Sequence, residues 1–179
     1  GKVDLEALRQ SLREDTILVS VMYVNNEIGT IEPIEEIGKI IKEYNKSILF
    51  HVDAIQAFGK IDIVPKRLNI DLMSVSAHKI HGPKGVGFIY IKEKTKVKPI
   101  IYGGGQQNGM RSGTENVPGI AGLSQAVKEI YKDLKSENEK ITELKDYFID
   151  RVSELEGVTV NSKKGSVGAP HIISVSVEG

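Results

Sequence analysis

The sequence predicts an α/β fold: a mainly parallel sheet with helices on both faces, joined to the start of a smaller α/β unit. Two observations carry this. Four runs, "TILVSVMYV" (16–24), "SILFHVDA" (47–54), "DLMSVSA" (71–77) and "GVGFIYI" (85–91), are nearly all apolar and rich in β-branched residues. Strands buried on both sides of a parallel or mixed sheet read this way. Between and after these runs come segments whose apolar residues recur at helical spacing, and alternation of the two types implies helices packed over a sheet.

The elements follow in order. Residues 4–13 suggest a short helix, with Asp4 as N-cap and Leu5, Leu8 and Leu12 on one face. The first strand leads into the loop "NNEIGTIEP", and Pro33 suits the first turn of the next helix. There Ile34, Ile37, Ile41 and Tyr44 repeat at helical spacing. The second strand ends in Asp53, the third in "SAHK", and "GPKGVG" reads as a turn into the fourth. A helix is expected from about Val117 to Leu134. Another follows, with Ile141, Leu144, Phe148, Val152 and Leu155 on one face. "GVTVN" and "PHIISVSV" are short strands of a second unit. The boundary is placed at 134/135, giving units 1–134 and 135–179. The second is too small for a comfortable core of its own, and the chain stops directly after a strand, so a fragment of a longer protein is expected.

Composition narrows the function classes. Of 179 residues, 40% are hydrophobic and 27% charged, and 24 basic residues balance 24 acidic ones. A net charge of zero supplies no basic footprint for nucleic acid. No apolar run approaches the roughly 18 residues needed to cross a membrane. The N-terminal "GKVDLEAL" has no signal-peptide core, and a cytoplasmic location is expected. There is no cysteine, hence no disulfide and no thiolate metal site, and no metal is expected.

In parallel α/β sheets, ligands bind beyond the carboxyl ends of the strands. Here those ends carry Asn25-Asn26-Glu27, then His51-Val52-Asp53 with Gln56 three residues on, then Ser76-Ala77-His78-Lys79. Each residue also has an ordinary reading: a cap or turn for Asp53, a turn for Asn25-Asn26, a structural role for His51, a solvated ammonium for Lys79. Together they suit a planar, anionic, nitrogen-containing ring. Asp53 would pair with a protonated ring nitrogen, Ser76 and His78 would bond a phosphate, and Lys79 would condense with an aldehyde. "GPKGVG" has the spacing of neither the Walker loop nor the dinucleotide fingerprint. The long loop "YGGGQQNGMRSGTENVPG" (102–119) is of the kind that is functional or disordered. It places Arg111, Ser112 and Thr114 before a helix N-terminus, where an anion is favoured.

"VNNEIGTIEPI", "HVDAIQAFGKI", "DLMSVSAHKIHGPKGVG" and "GGGQQNGMRSGT" occur in that order. Together they resemble the cysteine desulfurases, class V aminotransferase-group enzymes of pyridoxal-phosphate fold type I, over essentially the whole chain. The resemblance implies that 1–134 is part of the cofactor-binding large domain and 135–179 a linking helix with the beginning of the small domain. It implies a homodimer that binds pyridoxal 5'-phosphate and converts L-cysteine to L-alanine. Sulfur would pass to an enzyme cysteine, then to a scaffold or acceptor protein of iron–sulfur cluster assembly or another transfer pathway. Lys79 matches the lysine bonded to the cofactor, Asp53 the partner of its ring nitrogen, and Gln56 the partner of its ring hydroxyl. Asn26 matches the residue near that hydroxyl and the substrate carboxylate, and Ser76 and His78 match phosphate ligands. Thr114 matches a threonine reaching the neighbouring subunit's cofactor phosphate. The family's nucleophilic cysteine and carboxylate-binding arginine correspond to positions after Gly179, and its ring-stacking histidine to one before Gly1. The isolated chain is therefore expected to be inactive alone and a weak cofactor binder. Selenocysteine lyase, a class V transaminase, or a non-catalytic dimerisation or partner-binding module are the other readings. "GGGQQNGMRSGT" favours the desulfurases over the first two.

Overall fold

The structure, a computed structural model, describes residues 1–179. Helix α1 (Leu5–Ser11) begins where Asp4 caps it, the Asp4 carboxylate accepting the Glu6 and Ala7 N–H groups at 2.9 and 3.0 Å. Strand β1 (Leu18–Met22) follows, then α2 (Ile34–Tyr44) with Pro33 at the N-cap position rather than inside the first turn. Strands β2 (Leu49–Asp53), β3 (Leu72–Ser76) and β4 (Gly87–Ile91) complete a four-stranded sheet in the order β1-β2-β3-β4. The first three strands are parallel and β4 is antiparallel to β3. The short "AHKIHGPKGV" connection allows only that direction, because a parallel return needs a crossover.

The apolar positions on one side of the sheet, Phe50, Val52, Met73 and Val75, meet Ile34, Ile37, Ile40 and Ile41 of α2 in the main core. The periodicity that makes α2 amphipathic therefore places the core on this face. Gly38 lets α2 come close to the following segment: a Cβ there would lie 2.3 Å from the Leu68 carbonyl oxygen. The other side of the sheet is more polar and half-exposed, with Ser20, His51, Asp53, Ser74 and Ser76 at alternate positions. Coverage is thus uneven within these residues, although the class is as expected: a mainly parallel sheet flanked by helices.

Helix α3 (Val117–Lys132) is capped by Asn116, whose side chain accepts the Gly119 N–H. Leu123 of α3 packs on Ala77 and Ile80, directly after β3, in a second cluster. Helix α4 (Leu134–Val152) starts after a single intervening residue. Strands β5 (Val158–Val160) and β6 (Val175–Val177) form a separate antiparallel pair, so only the last part of "PHIISVSV" is strand.

Of the apolar stripe expected along α4, only Ile141 and Val152 turn partly inward. Leu144, Phe148 and Leu155 are exposed, whereas Ile149 and Lys145 are buried. The helix is rotated by about one residue because its polar side chains grip the body of the fold. Asn138 donates to the Lys60 carbonyl at 2.7 Å. The Lys145 ammonium donates to the carbonyls of Gly165, Gly168 and Ala169 at 2.9, 3.1 and 3.3 Å. A buried ammonium is tolerated when all three of its protons are matched in this way.

Candidate functional site

The parallel register fixes what gathers at the strand ends. Asp53 is the last residue of β2 and pairs with Met22 of β1 and Ser74 of β3. Its carboxylate accepts the Ile55 N–H at 2.9 Å, which turns the chain so that Gln56 follows at the same end. On the face Asp53 shares, the hydroxyls of Ser20 and Ser74 flank the two nitrogens of His51 at 2.7 and 2.8 Å. His51 is thus a structural residue bridging three strands, in line with its ordinary reading.

Beyond β3 the chain tightens at once. Residues Ala77–Ile80 form a short 3-10 turn that stops at His81, whose φ of 65° is left-handed. Gly82 then passes so close to Ala77 that a Cβ would sit 2.9 Å from the alanine methyl. This turn buries Ala77 and Ile80 and pushes His78 and Lys79 outward, where both are exposed. Ser76, half-buried at the strand end, spends no hydroxyl bond on capping the turn. The lysine after a buried strand is thus held on a rigid base with its amine free.

The loop before α3 braces itself. The Ser112 hydroxyl donates to the Gly104 carbonyl at 3.1 Å, Gln106 accepts the Gly113 N–H at 3.2 Å, and Arg111 donates to the Ser112 carbonyl at 2.9 Å. Thr114 is exposed just beyond Gly113, whose φ is 106°. Asn26 is exposed after β1 and donates to Glu27 at 2.8 Å.

One residue joins this end of the sheet from far along the chain. His171 lies with its Nε2 3.4 Å from the side-chain amide oxygen of Gln56, and its Nδ1 is buried without a partner. Burial, reinforced by the positive charges of Lys60, Lys79 and Lys145, pushes its pKa down to about 4. Lys79, Gln56 and His171 therefore share one neighbourhood. Nothing local in the sequence marks His171: it is an isolated histidine before the apolar "IISVSV", 115 residues from Gln56. A cavity of about 730 Å³ between the 81–83 turn, α3 and α4 contains none of the sequence-predicted site residues.

The donor set fits pyridoxal phosphate by its chemistry: a carboxylate, an amide, a hydroxyl, an imidazole and a primary amine at the ends of adjacent parallel strands. An α/β sheet with a lysine, a carboxylate, a hydroxyl and an imidazole at its carboxyl ends defines the class of α/β proteins that bind ligands beyond their strand ends. Within that class, the aminotransferase class-V family pattern matches residues 1–179, and the chain belongs to that family. It is 52% identical over 154 residues to the cysteine desulfurase IscS of Dictyoglomus turgidum, covering 86% of this chain and 39% of that protein. It is 46% identical to the mitochondrial cysteine desulfurase of Arabidopsis thaliana, covering 100% of this chain and 40% of the relative. Among solved structures, a NifS-like protein superposes with a TM-score of 0.94 at 42% identity, over 98% of this chain and 48% of that one. The chain thus spans less than half the length of each of these relatives.

Proposed function

We propose that these residues form the lysine-bearing part of a pyridoxal-phosphate-dependent cysteine desulfurase, which converts L-cysteine to L-alanine and passes the sulfur to a cysteine outside them. The supporting observation is the gathering of Asp53, Ser76, His78 and Lys79 at the ends of adjacent parallel strands, with Lys79 exposed on a tight turn. The relatives' names point the same way.

The bound cofactor would supply an electron sink for the charge that develops at the substrate α-carbon. The chain's own residues would do the rest. Lys79 would hold the cofactor and then move protons at the α-carbon. Asp53 would keep the ring nitrogen protonated, since an opposite charge nearby favours the charged form. Ser76 and His78 would bind the phosphate, Gln56 the ring hydroxyl, and Asn26 that hydroxyl and the substrate carboxylate. Thr114 would reach the partner subunit's phosphate in a homodimer. In this reading residues 1–134 belong to the large domain and 135–179 open the small one. Iron–sulfur cluster assembly through a scaffold or other acceptor protein is the expected destination of the sulfur. No helix is long and apolar enough to cross a membrane, and a cytoplasmic location is proposed, as expected from composition.

The test is alanine and sulfide production from L-cysteine by the full-length protein and its Lys79→Ala variant. Turnover that disappears in the variant supports the proposal. Turnover that persists without the Lys79 amine overturns it.

A further inference from the structure

Outside the residues that the sequence marks, one half-buried histidine faces the site with a buried ring nitrogen unmatched. His171 reaches Gln56 at 3.4 Å through Nε2, and its Nδ1 is buried with no hydrogen-bond partner. Only Pro170 separates it from Gly168 and Ala169, whose carbonyls are clamped by the buried Lys145 ammonium. The ring is therefore delivered to Gln56 by a built support and not by a loose loop.

We propose that His171 is a positioning residue for the cofactor: as a neutral ring carrying its proton on Nε2, it donates to the Gln56 oxygen and so turns the Gln56 amide N–H₂ toward the ring hydroxyl of pyridoxal phosphate. This rests on the reading of Gln56 given above. A glutamine amide has an acceptor end and a donor end of nearly equal shape, and only its hydrogen-bond partners decide which way it points. Engaging the oxygen fixes the acceptor end inward and leaves the donor end for an anionic ring oxygen.

The charges around the imidazole select the same form. Lys60, Lys79 and Lys145 all bear on it, and burial with those three cations holds its pKa at about 4. The ring is accordingly neutral at pH 7. An unmatched lone pair at Nδ1 is favoured in a field of three ammonium groups, where an unmatched N–H would be repelled. The tautomer with the proton on Nε2 is the one that can donate to Gln56.

The experiment measures cofactor affinity on the full-length apoprotein, by equilibrium dialysis with pyridoxal phosphate, for wild type, His171→Phe, His171→Gln, Gln56→Ala and the His171→Phe/Gln56→Ala double variant. Loss of one neutral hydrogen bond should weaken binding about threefold to tenfold in His171→Phe. Because His171 acts through Gln56, the double variant should bind no more weakly than Gln56→Ala alone. His171→Gln, which restores a donor, should return to within about twofold of wild type. Multiplicative effects, or equal losses in His171→Phe and His171→Gln, overturn the inference. Nitrogen-15 chemical shifts of the His171 ring give a check that needs no variant: a proton on Nδ1 at pH 7 overturns it, one on Nε2 supports it. Wild-type protein that takes up no lysine-bound cofactor would overturn the functional reading itself, whereas uptake without coupling to Gln56 removes only the role of His171.

Discussion

Asp71 should be the most costly polar residue to neutralise in the large sheet. It is buried at 4% exposure at the entry to β3. Its carboxylate accepts the Phe50 N–H at 2.9 Å, the Lys92 ammonium at 3.1 Å and a close contact from Lys42, which also donates to the Ile48 carbonyl at 2.6 Å. It therefore ties α2 and β4 to the two central strands. Burial alone would raise its pKa, but the bonds from Lys42, the Phe50 N–H and Lys92 outweigh it and hold the carboxyl below its ordinary 3.8. Asp71→Asn keeps the shape and removes the charge. Lys42 is little exposed, so its bond should be worth about 1.5–3 kcal/mol. Lys92 is half-exposed and adds at most about 0.5 kcal/mol. A total of about 1.5–3.5 kcal/mol corresponds to a fall in Tm of roughly 3–14 °C for a chain of this size. The sign with pH follows from the lowered folded value. The contribution is present above pH 3.8 and is lost as pH falls through the folded pKa. Urea unfolding of wild type and variant at pH 7, 5 and 3 should therefore show a gap that is full at pH 7 and 5 and shrinks at pH 3. A pH 7 gap below about 0.5 kcal/mol, or one unchanged at pH 3, would refute the argument.

Three further outcomes are expected. Gly38→Ala should destabilise by about 1–3 kcal/mol in urea unfolding, reversing the usual helix gain, because its new Cβ meets the Leu68 carbonyl. Asp53→Ala in the full-length protein should retain covalent cofactor yet slow α-proton removal about ten- to hundredfold, read as solvent-deuterium exchange into substrate; unchanged exchange would remove Asp53 from the ring-nitrogen role. The 179-residue chain alone has no thiol to receive sulfur and should release no sulfide from cysteine above the background of free pyridoxal phosphate, measured side by side.

How much of this could be read before the structure depends on whether the deciding contacts are local. The strands of the sheet are nearly all apolar, and Asp53, Ser76, His78 and Lys79 stand at their ends by sequence position, so the parallel register alone brings them together. Asp4 is legible as a cap because its acceptors lie two and three residues on. The face of α4 was not legible, since helical periodicity assigns lysine to water. Lys145 instead goes inward, because three backbone carbonyls more than nineteen positions away match its ammonium. His171 was hidden for the same reason: its partner Gln56 is close only in the folded chain. The uneven cover of the sheet also escaped the pattern, because Ser20, His51 and Ser74 satisfy one another across strands and make a polar row where apolar runs imply burial.

Lys79 is placed to be bonded. The direct measurement is to incubate the full-length protein with pyridoxal phosphate, record the absorption band of lysine-bound cofactor near roughly 400 nm, reduce with borohydride and locate the label by peptide mass spectrometry. A single pyridoxyl group is expected on the peptide containing Lys79, and neither band nor label in Lys79→Ala. A label on any other lysine of the wild type, or a band and adduct that survive in Lys79→Ala, would contradict it.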